Sequence, residues 1–308
     1  MARIVFIYES SFVGAELNRY LLVGSSGFIG KAFTKTLLDN GFPSVNINSR
    51  IQAQELLAKP EILMDIDRVV WAASKVNPVT AELHPDWCSE EFNFFTEFIS
   101  CLKSTSNLNV HLTFLSSAGC IYSGDDEYFS ETSEAVGTNA YGKLKRRMES
   151  ALEESELSHS ILRISNVYGP GQPVGRGQGV IAEWINAINL GLPVRVFGNL
   201  GSTRDYIYLD DLTNAMLSTS ENKLQGIFNL GSGQSIELQE LIRVLASVAS
   251  KDLEIDYQDA RSTDRIHFSL NISKIRSSSS WFPEISLETG IKSSLDSANR
   301  DRLEGFEP

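Results

Sequence analysis

Apolar residues recur along this chain in two rhythms. Short apolar runs, in RYLLV at 19–23 and at 44–48, 68–73, 110–116 and 160–164, have the length and composition of strands buried on both faces. Between them lie longer stretches with helical spacing, notably 86–102 and 140–157, with two more further on near 180–190 and 238–250. The helix after the first of these strands is expected to end at Gly41, because glycine tolerates the left-handed conformation that closes helices. Strands alternating with helices of this length predict an α/β fold with a parallel sheet covered on both faces.

The rhythm fails at two places. Residues 4–8 form an apolar segment ahead of the first regular strand, either an extra strand or a loose arm. From Asn166 onward the text VYGPGQPVGRGQG is rich in glycine and proline, so regular structure should break there. The division expected is an extension over 1–18, the main part of a sheet domain over 19–165, and a smaller C-terminal part over 166–308 that returns some segments to the sheet.

Composition narrows the partners. Lys and Arg number 27 against 39 Asp and Glu, a net charge of −12, and no basic block offers a footprint for nucleic acid. The N-terminus, with Glu9 and Glu16, lacks the basic and long apolar regions of a signal peptide, and no run reaches the roughly 18 apolar residues of a membrane span. Cys88, Cys101 and Cys120 are widely spaced and, with the scattered His84, His111, His159 and His267, form no cluster of metal-ligand spacing. We therefore expect reduced, mostly buried thiols, no metal site, no membrane insertion and a cytoplasmic protein.

The candidate chemistry begins at GSSGFIG, residues 24–30, between a strand and a helix. Gly24, Gly27 and Gly30 keep such a turn tight, and Ser26, Phe28 and Ile29 lie where backbone N–H groups at the helix start can meet a pyrophosphate. The same glycines would also serve an ordinary strand-to-helix turn. A dinucleotide fold usually places an acidic residue on the ribose about 20 positions further on; here that place holds Asn48, followed by Ser49 and Arg50. A carboxylate would repel a 2′-phosphate, whereas Ser49 and Arg50 can bind one, which favours NADP slightly over NAD. Arg50 read blandly is a solvated residue at a helix start.

Tyr141 and Lys145 stand four apart on a helical pattern, hence on one face. A phenol titrates near ~10, and a lysine charge ~4 Å away at an effective dielectric of ~20 contributes ~4 kcal/mol before desolvation opposes it, which could bring the phenol near working pH. The bland alternative is a helix with a basic solvent face running to Arg147. Upstream, LSSAGCIY at 115–122 ends a strand and offers two hydroxyls.

In this order the residues resemble the extended short-chain dehydrogenase/reductases, specifically the nucleotide-sugar epimerase and dehydratase family, in a manner similar to UDP-glucose 4-epimerase. The resemblance runs from Arg19 to Asp296 through GSSGFIG, DRVVWAA at 67–73, the serine strand end, Tyr141 to Lys145, LRISNVYGPG at 162–171, GNLGSTRDYIYLDD at 198–211, FNLGSG at 228–233, RSTD at 261–264 and NISK at 271–274. It implies a Rossmann-type doubly wound parallel sheet with a smaller C-terminal substrate-binding domain, and a nucleotide-activated hexose as substrate. It further implies that Tyr141 moves a sugar hydroxyl proton, that Lys145 holds the cofactor ribose, that Ala72 and Ala73 line the cofactor, and that Asn166, Arg204 and Arg261 bind the sugar nucleotide. Gly119, Asn93, Asp67 and Tyr168 match positions of packing and turns, and Asp210 and Asp211 are expected to cap a helix beginning at Leu212.

Two departures from the family pattern stand out. One is Asn48 in place of the acidic residue; the other is Ala118 where the family carries its catalytic Ser or Thr, with Ser117 one residue earlier. We assign the hydroxyl to Ser117, with Ser116 packed or bonded to backbone. The carboxylate pair of the family's dehydratases is replaced by Gly119-Cys120. The expectation is a 4-epimerase passing through a transient 4-keto sugar, the alternatives being an NADPH-dependent 4-keto-sugar reductase and a non-catalytic dinucleotide-binding regulator. A homodimer through the 86–102 and 140–157 helices is implied by the resemblance; the sequence itself offers apolar residues such as Phe94, Phe95 and Phe98, which would serve a core equally well.

Overall fold

A computed structural model describes residues 5–7, 20–105, 110–124, 126, 128–175, 177–259 and 266–304. The first half alternates strand and helix: β1 (Val5–Ile7), β2 (Tyr20–Val23), α1 (Phe28–Asp39), β3 (Ser44–Ile47), α2 (Arg50–Ala58), β4 (Arg68–Trp71), α3 (Pro78–Leu83), α4 (Pro85–Thr105), β5 (His111–Ser117), α5 (Ala118–Ile121), α6 (Ala140–Glu154) and β6 (Ser158–Ile164). The second half is more broken: β7 (Asn166–Tyr168), α7 (Val180–Leu190), β8 (Val194–Phe197), β9 (Thr203–Tyr208), α8 (Leu209–Glu221), β10 (Gly226–Leu230), β11 (Ser235–Glu237), α9 (Leu238–Ala249), β12 (Ile255–Gln258), α10 (Ser273–Ser278) and α11 (Leu287–Leu303).

Seven strands form the main sheet in the order β1-β3-β2-β4-β5-β6-β10. Six are mutually parallel, the doubly wound arrangement expected; β2, β3 and β4 are buried throughout, as strands covered on both faces must be. The exception is the segment ahead of the glycine turn. β1 pairs antiparallel with β3, Phe6 opposite Val45, and covers an edge that would otherwise expose unpaired backbone groups. Between α2 and β4 the chain makes a 3₁₀ turn rather than a strand, so the N-terminal segment takes the edge place that the usual order gives to a third parallel strand.

Helix faces follow the sequence period. On α4 the buried residues are Glu91, Phe95, Phe98, Ile99 and Leu102, and on α6 they include Gly142, Lys145, Met148, Glu149 and Leu152. Of the two places open to Phe95 and Phe98, a dimer surface or the core, they take the core: they pack on Trp71 at 4.9 and 5.0 Å between ring centroids, and both are fully buried. They are core because β4 brings Trp71 beneath α4. The three cysteines are free and only partly buried, so the expectation of mostly buried thiols is too strong. Among the described residues no helix is long and apolar enough to cross a membrane.

A second core of Trp184, Ile185, Tyr206, Tyr208, Leu241 and Ile291 joins α7, α9 and α11 to the small sheets β11-β9-β7 and β12-β8. Asp205, buried on β9, accepts from Ser232 N (2.7 Å), Gly233 N (3.1 Å) and Leu270 N (3.3 Å), and so fastens the GSG segment to this lobe. The expected capping role of Asp210 and Asp211 does not hold. α8 starts three residues earlier, at Leu209, and the buried Asp211 accepts from Glu284 N and Ile285 N, tying the approach to α11 onto α8.

Candidate active site

The chain reverses its winding direction between β2 and β4, and a crevice at the carboxyl ends of those strands is where an open α/β sheet binds its ligand. The glycine turn fills this place. Gly24 has φ +99°, and a Cβ there would lie 2.6 Å from Ala73 N; a Cβ on Gly30 would lie 2.0 Å from Gly24 O. Backbone therefore packs on backbone, which only glycine allows, and Ala72 N is bonded to Val23 O at 2.8 Å. Gly27 caps α1 without a side-chain acceptor, and the first turn carries no acidic residue. The N–H groups of Phe28 and Ile29 thus meet no competing side-chain oxygen, and the helix dipole favours an anion there. These features fit a dinucleotide pyrophosphate.

At the end of β3, Ser26 Oγ donates to Asn48 O at 3.2 Å, joining the glycine turn to the neighbouring strand. Ser49 caps α2 by accepting from Gln52 N, while Gln52 Oε1 accepts from Asn48 N at 2.8 Å, a reciprocal cap. Arg50 is held: Nη1 lies 3.0 Å from Glu90 Oε2, and the guanidinium sits 5.6 Å from the centroid of the Phe94 ring. Lys75 Nζ reaches the same Glu90 oxygen at 3.1 Å.

The other end of the cleft is assembled by α5 and α6. Asn139 caps α6 by accepting from Gly142 N at 2.8 Å. A Cβ on Gly142 would lie 1.9 Å from Cys120 O, so its glycine lets the first turn of α6 touch α5. That contact brings Tyr141 close to Cys120 of α5, the short helix that follows β5. Lys145, one turn on, has its Nζ 5.5 Å from the Tyr141 ring centroid and 5.1 Å from that of Phe114 on β5. The expected lowering of the Tyr141 pKa is not found. Burial pushes the phenol well above its ordinary value, and the Cys120 thiol and Glu91 carboxylate add to the rise. Burial also pulls Lys145 below the usual lysine range, with Glu91 and then Glu149 opposing it.

The two serines of the strand end separate cleanly. Ser116 Oγ donates to the buried Glu149 at 2.7 Å, and Glu149 takes Arg163 of β6 in a bidentate pair at 3.0 and 2.7 Å. Ser117, partly exposed, caps the short α5 with no side-chain hydrogen bond, and its hydroxyl meets no partner among the described residues. One hydroxyl is therefore committed to the frame beneath the site, through side chain rather than backbone, and the other is available to a ligand.

Ser117 and Ile164 are register partners, so Asn166 follows at the same end of the neighbouring strand. Its Nδ2 donates to Asp205 O at 2.9 Å, and Arg204 lies next to it on β9 with Nη1 donating to Thr203 O at 2.8 Å. Arg204 makes no ion pair with Asp205 or Asp210 among the described residues. Arg261 falls outside the described residues.

Sequence reasoning missed Glu91. It sits at the junction of the loop after β4 and Lys145, 7% exposed, and its signal is positional. An acidic residue at 91 shares a face with 95, 98, 99 and 102, where the pattern demands apolar side chains.

A glycine turn at the switch point of a doubly wound sheet, with a partly buried tyrosine and a buried lysine one turn apart on α6, has the layout of a nucleotide-dependent oxidoreductase-type fold. Residues 20–231 match the model of the NAD dependent epimerase/dehydratase family, and the chain belongs to that family. It is 28% identical over 306 residues to dTDP-4-dehydro-6-deoxyglucose reductase of Escherichia coli, covering 90% of this chain and 96% of that protein. It is 24% identical to UDP-glucuronate 4-epimerase of Thermodesulfobacterium geofontis, covering 91% and 96%. Among solved structures, the UDP-glucose 4-epimerase of Thermotoga maritima with UDP-glucose matches with TM-score 0.81 at 25% identity over 92% of this chain and 99% of that one. The Thermus thermophilus UDP-glucose 4-epimerase complex with NAD has the same fold, with TM-score 0.82 at 23% identity over 91% and 99%.

Proposed function

We propose that the protein is a nucleotide-sugar 4-epimerase acting through a transient 4-keto sugar. The observation that carries this reading is the division of labour at the end of β5, the strand whose Phe114 faces Lys145: Ser116 is spent on Glu149, while the Ser117 hydroxyl meets no partner among the described residues. When bound, the nicotinamide dinucleotide supplies a hydride acceptor and donor. Tyr141 takes the proton of the sugar hydroxyl as its carbon is oxidised, and returns it when the ketone is reduced on the other face, so no net redox change results. Ser117 donates to the reacting oxygen and fixes its direction. Lys145 supplies the positive charge that a buried phenolate requires. Arg204, Arg261 and Asn166 take the diphosphate and its nucleoside, the two guanidinium forks matching phosphate oxygens. Ala72 and Ala73, with the glycine turn, wall the cofactor. Relatives that act as 4-epimerases on UDP-glucuronate and bind UDP-glucose support the assignment.

A second reading, a 4-keto-sugar reductase, is favoured by the Escherichia coli relative named for that reaction. Cofactor choice bears on it. Asn48 leaves the 2′-position free of a repelling carboxylate, which supports NADP, whereas Glu90 holds the Arg50 that would bind the extra phosphate. The cytoplasm is the compartment we assign, on the strength of three unpaired cysteines, and a homodimer through α4 and α6 is the assembly, to be read by size-exclusion chromatography. The test of function is a panel of UDP-, GDP- and dTDP-hexoses and their 4-keto forms, offered with NAD and with NADPH. Interconversion of 4-epimers without net cofactor change supports the first reading; stoichiometric NADPH oxidation by a 4-keto sugar supports the second; neither, with cofactor bound, leaves a dinucleotide-binding regulator.

A further inference from the structure

Glu91 is a carboxylate in an apolar setting, on the core face of α4 among Phe95, Phe98 and Ile99. Its surroundings show why it is tolerated. Oε2 accepts from Lys75 N at 2.7 Å and from Val76 N at 3.4 Å, and Oε1 accepts from Ser74 Oγ at 2.8 Å. On its other side, Oε1 is 4.0 Å from Lys145 Nζ, with both side chains nearly excluded from solvent at 6% and 3% exposure. Ser74, Lys75 and Val76 directly follow Ala72 and Ala73, the backbone against which Gly24 packs. One buried group therefore touches the wall of the cofactor cleft and the lysine beside Tyr141.

We propose that Glu91 is a positioning residue of the active site, fixing the loop after β4 and providing the counter-charge that keeps Lys145 protonated beside Tyr141. The proposal rests on the reading of Tyr141 and Lys145 as the working pair. The groups facing these three are few: Lys145, Tyr141 and Cys88 face Glu91, Glu149 shares Lys145, and Cys120 shares Tyr141. Of the two carboxylates that oppose the burial of Lys145, Glu91 acts more strongly. Its direct effect on Tyr141 is the smallest of the three causes raising that phenol. Glu91 is thus the leading charge that favours the protonated lysine, and the last of the causes acting on the tyrosine.

The test uses Glu91→Gln in the full chain. The amide oxygen can still accept from Lys75 and Val76, which preserves the loop, while the oxygen facing Lys145 becomes an uncharged NH₂. With lysines labelled at 13Cε and the Lys145 signal assigned by its loss in Lys145→Arg, the Lys145 titration midpoint should fall by about one to three pH units. The alkaline limb of the kcat profile should move down with it, and NADH binding measured by fluorescence should weaken only above the new midpoint. An unchanged Lys145 midpoint alongside a lowered Tm would overturn the proposal and leave Glu91 a structural latch. If Glu91→Gln fails to fold, Ser74→Ala decides: it removes a donor from Oε1 and leaves the charge, so the Lys145 midpoint should hold or rise, and a fall contradicts the proposal. The lysine titration needs no turnover, so it stands even if Tyr141→Phe proves fully active and the catalytic reading fails.

Discussion

Glu90 and Glu91 are neighbours on α4, yet they serve opposite ends of the cleft under opposite conditions. Glu90 lies in solvent and bridges Arg50 and Lys75, all three side chains 43 to 49% exposed. Glu91 is turned into the core against Lys145. In water such pairs are screened and readily exchanged, so the Arg50 end can trade its carboxylate for a phosphate. In the interior a removed partner leaves a charge without compensation, so the Tyr141 end is held in one arrangement. Helix rotation alone decides which chemistry each glutamate meets. In the function proposed above, the Arg50 end would choose the cofactor and the Tyr141 end would move the proton.

Substitutions should separate the two ends sharply. Tyr141→Phe has the largest expected effect, a loss of about 10²- to 10⁴-fold in kcat with cofactor affinity nearly intact, read by steady-state kinetics and fluorescence titration. Full turnover in that variant would remove the proton-transfer role.

Burial should govern titration elsewhere in the core too. His111, fully buried between Ser158 Oγ and Ser160 Oγ at 2.8 Å each, is pushed down to about 3, mainly by desolvation and then by the charge of Arg68. Because the unfolded chain binds this proton more readily than the folded one, stability is fully present above about pH 6.5 and is lost as pH falls toward 3, by roughly a few kcal/mol. Denaturant midpoints across that range should show the slope, and His111→Gln should flatten it.

The paired serines give a finer contrast. Ser117→Ala should lower kcat by roughly ten- to a hundredfold with Tm unchanged. Ser116→Ala should instead cost about 1–3 kcal/mol of stability, since Glu149 loses a buried donor. Equal effects at both positions would show that the strand end does not divide its hydroxyls. Smallest of all, Arg50→Ala should reduce the affinity for NADP relative to NAD only a few-fold, and the difference should shrink at about 0.5 M salt.

Much of this was legible in the sequence where residues act through local patterns. The strands around 44–48, 68–73 and 110–116 and the helices of α4 and α6 follow from periodicity, and the glycine turn from spacing. What stayed hidden depends on partners distant in the chain. β1 could not be placed because its pairing with β3 is antiparallel and set by an edge left open. Asp211 looked like a cap until the segment at 284–285 came to it. Tyr141 and Lys145 were visible as a pair, but the burial that raises one and lowers the other was not. The Ser117 assignment came from counting back along LSSAGCIY; what the fold shows is that its neighbour Ser116 is engaged by Glu149.

The most direct test of the central claim is proton NMR of the wild-type protein with NAD and a UDP-hexose in D₂O. A 4-epimerase should convert the sugar into its C4 epimer without accumulating reduced cofactor and without deuterium at C4, because the hydride that leaves C4 is the one returned, and Tyr141→Phe should abolish the conversion. Net consumption of reduced cofactor, deuterium at C4, or equal conversion by Tyr141→Phe would contradict it.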